Sequence, residues 1–223
     1  NTDCYQPIER KLEITRELLQ LFLKYRHPVV IITKNALIQR DLDVLKELAK
    51  ENLVRVSLSI TSLDEKTRQL LEPRTASIKK RLQTVEKLHE NGIPVNVMMA
   101  PIIPSINSHE ILPLVKAVAE RGACSVGYTV VRLNGAIGEV FSTWIRKTMP
   151  DKAEKVLHQI AECHNGSLND SRFGTRMIGE GNIAHQVSQQ FKIARKKYLS
   201  VRERSALNCS LHEQYKDGQM KLF

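Results

Sequence analysis

No stretch of this 223-residue sequence approaches the ~20 consecutive apolar residues that carry a helix across a bilayer, which excludes a helical membrane span. The opening Asn1-Thr2-Asp3-Cys4 has neither the basic nor the apolar segment of a secretory leader, and no initiator methionine. Cysteines number four, at positions 4, 124, 163 and 209, and none is spaced CxxC, CxxxC or CxxCxxC. The chain itself therefore carries no zinc or iron–sulfur signature. Scattered thiols without a leader predict reduced cysteines and a cytoplasmic location. Hydrophobic residues at 42% and charged residues at 26% rule out a disordered, collagenous or disulfide-scaffold chain. There is no low-complexity tract, and the length predicts one large domain or two small ones.

What the sequence has in excess is positive charge. Thirty-four Lys and Arg against 24 Asp and Glu leave +10. Residues 165–223 hold ten of those basic residues and only five of the acidic ones. A basic end is an electrostatic footprint for a polyanion, nucleic acid above all; the alternative is a solvated helix face that keeps the protein in solution.

Helical and extended patterns alternate along the chain. Pro7 opens a helix whose stripe is Ile8, Leu12, Leu19 and Phe22, stopped by Pro28. Residues 28–33 form an apolar β-branched run of the kind buried on both faces in a parallel sheet. A helix on Leu42, Leu45 and Leu48 leads to an alternating strand from Val54 to Ile60. Ser62 and Glu65 form a capping box for the next helix, and a second helix on Ile78, Leu82 and Val85 ends at Asn91-Gly92. Val95 to Ala100 is the third strand, closed by Pro101 and Pro104. Asn107 and Glu110 offer a further cap pair, and a fourth strand runs from Val126 to Leu133. This rhythm predicts βα units and a parallel sheet. After about Gly135 it gives way to helices near 138–148 and 151–163, a loop from Asn165 to Gly181, a basic helix over 183–199, and a polar tail.

In such sheets ligands collect where the βα loops begin, at the carboxyl ends of the strands. The polar residues there are Thr2, Asp3, Thr33, Lys34, Ser59 and Thr61, with Ala100-Pro101. That rim suits a zwitterionic or ribose-bearing ligand, with Lys34 pairing an anion and Ser59 a sugar hydroxyl. Ordinary capping chemistry is the alternative.

Several segments, taken in order, resemble the spore photoproduct lyase-like family of radical S-adenosylmethionine (SAM) enzymes. They are Ile32-Thr33-Lys34, Leu58-Ser59-Ile60-Thr61, Leu71-Glu72-Pro73-Arg74 and Met99-Ala100-Pro101-Ile102-Ile103-Pro104. The opening Asn1 to Glu9 and the segment Ser171 to Met177 look like a bacterial branch of that family. The resemblance spans most of residues 1–195.

It implies an α/β fold, a partial (β/α)6 TIM-like barrel over residues 1–135, with a helical C-terminal extension over 136–200 and a flexible tail over 201–223. It also implies a [4Fe-4S] cluster on a CxxxCxxC loop after the first strand. That cluster would chelate SAM and cleave it with one electron from a donor such as flavodoxin or ferredoxin. The resulting 5′-deoxyadenosyl radical would abstract a hydrogen from substrate. By match, Thr2 and Asp3 would lie near the methionine part of SAM. Lys34 and Ser59 would contact its carboxylate and ribose, and Ala100-Pro101 would flank adenine. No CxxxCxxC is present, and Asn1 matches the family just past its second strand. The chain thus reads as a fragment lacking the first βα unit, with its cluster ligands upstream of Asn1. Cys4 is out of register with the hydrogen-donating cysteine of the lyases, so lyase activity itself is not expected.

Two partner segments remain. Lys192, Arg195, Lys196 and Lys197 make a basic helix end suited to DNA or other nucleic acid. Gln219-Met220-Lys221-Leu222-Phe223 resembles the QLxLF peptide that docks bacterial repair proteins on the sliding clamp, with Gln219, Leu222 and Phe223 as its anchors. Two functions follow: a radical SAM enzyme acting on nucleic acid, or a non-catalytic nucleic-acid- or protein-binding βα domain.

Overall fold

A computed structural model describes residues 2–199 and 206–215. Its centre is a parallel sheet in the order β1 (Val29–Thr33), β2 (Val54–Ser59), β3 (Val95–Ile102) and β4 (Ser125–Val130). Helices α1 (Glu9–Leu12) and α2 (Ile14–Lys24) precede it. Helices α3 (Leu42–Lys50), α4 (Glu65–Leu71), α5 (Ile78–Glu90) and α6 (Ile111–Ala119) connect its strands. Then come α7 (Ile137–Thr148), α8 (Pro150–Glu162) and α9 (Gly181–Tyr198).

The core lies between one sheet face and the helices. Ile31, Val56, Leu58, Val97 and Val126 meet Leu45, Leu48, Val85, Leu88, Val115 and Val118, all buried. Helix α9 joins this core through Phe191, whose ring stacks on Tyr128 at 4.1 Å. A second cluster packs Ile145, Val156 and Ile160 of α7 and α8 beneath Ile103, Ile106, Val131 and Leu133. The other sheet face carries a polar row: Asn96 Nδ2 donates to Ser57 Oγ at 2.9 Å, and Ser125 Oγ donates to Asn96 Oδ1 at 2.6 Å. One step along, Met98 fills the place of a side chain at residue 127. A Cβ on Gly127 would meet its sulfur at 2.7 Å.

Several sequence expectations change. The first helix is broken at Glu13 (φ 54°), and the stripe turns so that Leu19 is buried while Ile8 and Leu12 face solvent. The break follows from Glu9, whose carboxylate is pulled inward to accept from Thr15 N and the Arg40 guanidinium. β1 is covered on one face only. Val30 and Ile32, the latter 62% exposed, point away from the helices, because β1 is the sheet edge and pairs only with β2. Neither proposed cap pair caps. Asp64 takes the N-cap of α4, accepting from Lys66 N and Thr67 N. Ser62 instead donates to the Glu110 carboxylate at 2.8 Å, and that carboxylate also accepts from Leu63 N. The fourth strand ends at Val130, and the third extends to Ile102.

The N-terminal segment is pinned to the sheet by charge. Tyr5 is fully buried and its hydroxyl donates to Asp41, which also accepts from Arg16 and Arg40. Arg16 pairs with Asp43 as well, and its hydrogen bonds hold that carboxyl at about 2. A carboxyl lowered on folding stabilises the fold above its ordinary value and loses that contribution as pH falls. Acidification from pH 5 to 2 is therefore expected to loosen the segment around Tyr5, read as lost near-ultraviolet circular dichroism. Asp43→Asn should remove at most ~1 kcal/mol of that dependence, since the pair is largely exposed.

Candidate ligand site at the strand ends

Register brings the predicted rim together. Thr33 of β1 lies beside Leu58 of β2, and Ser59 lies beside Met98 of β3. Lys34, Ser59 and Ala100-Pro101 therefore share the carboxyl edge of three adjacent strands. Asp3 ties the N-terminal segment to the same edge. One of its oxygens accepts from the Thr33 hydroxyl at 2.7 Å and from Tyr5 N at 2.9 Å; the other accepts from Lys34 N at 2.7 Å. With both oxygens engaged, Asp3 works as an anchor that carries the exposed Thr2 to the mouth.

Lys34 is not free. Its ammonium donates to Glu72 Oε1 at 2.7 Å, while Glu72 Oε2 accepts from Arg81 Nη2 at 2.8 Å. The side chains of Lys34, Glu72 and Arg81 are 36%, 8% and 1% exposed. Burial alone would raise the Glu72 carboxyl; Lys34 and Arg81 outweigh it and hold the group below its ordinary value. Arg81 also donates from Nη1 to the Ser59 carbonyl and from Nε to the Ala76 carbonyl, each at 2.9 Å. Its remaining partner is the Thr75 hydroxyl.

On the β3 side, the Ala100-Pro101 peptide is cis. The fully buried Asn107 donates to the Thr61 carbonyl at 2.8 Å and the Pro101 carbonyl at 3.0 Å. Its oxygen accepts from Ile103 N at 2.7 Å. Asn107 thus joins the ends of β2 and β3 rather than capping a helix. Beside it, the buried Thr61 hydroxyl has no protein partner. A buried hydroxyl left without a partner costs about 1–3 kcal/mol.

Glu72, Arg81 and Asn107 had no site role in the sequence reading. A signal for Arg81 was there: it falls three residues after Ile78 and four before Val85, on the apolar stripe of its helix, where an arginine must find buried acceptors.

The basic helix end lies elsewhere. Arg195 Nε donates to the carbonyl of Val126, near the start of β4, and its guanidinium sits over the rings of Phe191 and Tyr128. Arg195 is therefore a packing residue, which corrects its reading as a surface cation. Lys192, Lys196 and Lys197 are exposed around the amino edge of the sheet, opposite the mouth. At the mouth itself the loop of residues 168–178 runs beside the end of β4, through Val130 N to Met177 O and Leu133 N to Leu168 O. It presents Phe173 to solvent with Arg176 over its ring. Gln219, Leu222 and Phe223 lie outside the described residues. Cys4, Cys124 and Cys163 sit on separate elements, and among the described residues no group of three His, Cys, Asp or Glu could hold a metal ion. The cysteines present thus do not fit a cluster. No described helix is long and apolar enough to cross a membrane.

The mouth can be set beside known proteins. Residues 1–118 match the model of the radical SAM superfamily. An uncharacterised protein of Methanocaldococcus jannaschii is 28% identical over 160 residues, covering 72% of this chain and 58% of that protein. One of Mycobacterium tuberculosis is 26% identical over 153 residues, covering 68% and 45%. One of Acidianus two-tailed virus is 36% identical over 90 residues, covering 40% and 29%. Relatives thus extend beyond bacteria, and the chain spans about half the length of the first two. A solved mutant of spore photoproduct lyase superposes with a TM-score of 0.64 at 16% identity, over 86% of this chain and 54% of that one. With more than half its residues under the family model and its parallel sheet shared with that lyase, the chain belongs to the radical SAM superfamily.

Proposed function

We propose that the chain supplies the SAM-holding strand ends of a radical SAM enzyme that abstracts hydrogen from nucleic acid. The observation that carries this reading is the shared edge of Lys34, Ser59, the orphan Thr61 hydroxyl and Ala100-Pro101. Lys34 spends one of its three N–H donors on Glu72 and has two for a carboxylate. Ser59 and Thr61 would meet ribose hydroxyls, Ala100-Pro101 the adenine face, and Thr2 the methionine end. The chain's own part is to orient SAM and keep water away.

The [4Fe-4S] cluster would be held by a CxxxCxxC loop on polypeptide preceding Asn1 and reduced by a flavodoxin or ferredoxin. Two features support a preceding βα unit. β1 leaves its outer edge and Val30 and Ile32 uncovered, and Leu18 and Leu21 of α2 are exposed as well. An open, apolar edge strand invites pairing. Alone, the chain is then inactive. After anaerobic reconstitution it is expected to hold no stoichiometric iron and sulfide and to release no 5′-deoxyadenosine. A version extended by its CxxxCxxC segment should do both. Stoichiometric cluster in the chain alone would overturn the assignment of the ligands upstream.

The substrate reading rests on Phe173 and Arg176 at the mouth, a surface on which a base can stack, and on the cations Lys192, Lys196 and Lys197 behind. Fluorescence anisotropy should show single-stranded DNA binding that weakens steeply with salt. Phe173→Ala should weaken it about tenfold, within the usual range for one stacked base. Absence of binding at low salt rejects a polyanion partner. If DNA binds with the same affinity and slope while the extended protein cleaves no SAM, the non-catalytic binding domain is the better description.

A sliding clamp is the second partner proposed, through Gln219 to Phe223. Removing those five residues should abolish co-elution with a bacterial clamp, and unchanged co-elution would end the idea.

A further inference from the structure

We infer that Glu72 and Arg81 are positioning residues for the ligand's amino-acid carboxylate: they hold the Lys34 ammonium and the Ser59 backbone in one rigid frame. The inference rests on the SAM reading above and adds to it two residues that touch no ligand.

Three observations carry it. The first is charge. Arg81 is shut off from solvent, and its guanidinium meets Glu72 Oε2 at 2.8 Å, so the Glu72 carboxylate has a basic partner besides Lys34. Lys34 thus shares that carboxylate with a second basic side chain, and it is the most exposed member of the triad. The second is direction. A lysine on four methylenes samples many rotamers, and capturing an anion costs it that freedom. The 2.7 Å contact with Glu72 removes that freedom on folding and leaves two N–H donors for a ligand oxygen. The third is coupling. The guanidinium that fixes Glu72 Oε2 also donates to the Ser59 carbonyl. The ends of β1 and β2 are thereby tied through a side chain from α5, outside the sheet. Two further donors go to Ala76 and Thr75, which fix the base of the frame.

A purely structural role for Glu72, bracing the turn between α4 and α5, would make a different prediction, and a pair of ligands separates the two. S-Adenosylhomocysteine carries the amino-acid end; 5′-methylthioadenosine carries the same nucleoside without it. Ligand-observed NMR titration of the whole chain should show tighter binding of the first. Glu72→Gln, nearly the same shape, should cost S-adenosylhomocysteine about tenfold in affinity and leave 5′-methylthioadenosine unchanged. Where thermal melting shows that Gln unsettles the fold, Glu72→Asp keeps the charge and withdraws it by one methylene; it should show a smaller loss with the same selectivity. In a Lys34→Met background, Glu72→Gln should have no further effect, because its action runs through the ammonium. Equal losses for both ligands, or no loss for either, overturn the positioning role and leave the SAM reading standing. Failure of the unaltered chain to bind S-adenosylhomocysteine overturns both.

Discussion

Arg81 is a guanidinium placed where water cannot reach it, and the link between the ends of β1 and β2 follows from the acceptors it gathers. A buried arginine stays charged and has five donors to satisfy, so the surrounding backbone must turn carbonyls and a carboxylate toward it. It draws on Ser59 from β2, Ala76 and Thr75 from the turn before α5, and Glu72 from the end of α4. Glu72 then holds Lys34 beyond β1. Asn107 does the corresponding task without charge, joining Thr61 just past β2 to Pro101 near the end of β3 and Ile103 just after it. Three strand ends are thus set relative to one another by Arg81, Glu72 and Asn107, side chains that the helices and loops outside the sheet provide.

The architecture could be read from the chain because it depends on short-range patterns. β-branched runs of five to eight residues alternate with amphipathic helices, and each observed strand falls within a few residues of its expected place. The rim residues were legible for the same reason: a residue that ends a strand in a parallel sheet has little choice of edge. What could not be read were contacts decided by tertiary partners. Ser62 and Glu65 have the spacing of a capping box, yet Glu110 takes the hydroxyl of Ser62, and Glu65 accepts from Ile78 N and Arg68. Val30 and Ile32 look like residues covered on both faces, but coverage depends on which strand is the edge, and β-branching carries no information about that. Arg195 belongs to a run of basic residues, and only the neighbouring rings of Phe191 and Tyr128 turn it inward.

The two edges of the sheet differ in chemistry. The carboxyl edge has hydroxyls, a held ammonium and an exposed aromatic loop, a combination suited to a compact ligand with mixed polarity. The amino edge has lysines on α9 around Val126, and His212 beside the Tyr25 carbonyl before β1. Between them the sheet's open face is crossed by the row of Ser57, Asn96 and Ser125.

The return of the chain after α9 has a practical consequence. Asn208 N donates to the carbonyl of Asn52 just before β2, and His212 Nδ1 lies 2.9 Å from the carbonyl of Tyr25 just before β1. The segment of residues 206–215 is therefore fastened at the amino edge of the sheet, away from the carboxyl ends of the strands. A dye, bead or surface coupled near Tyr215 would hold the protein by that edge and leave the carboxyl ends of the strands facing the solution.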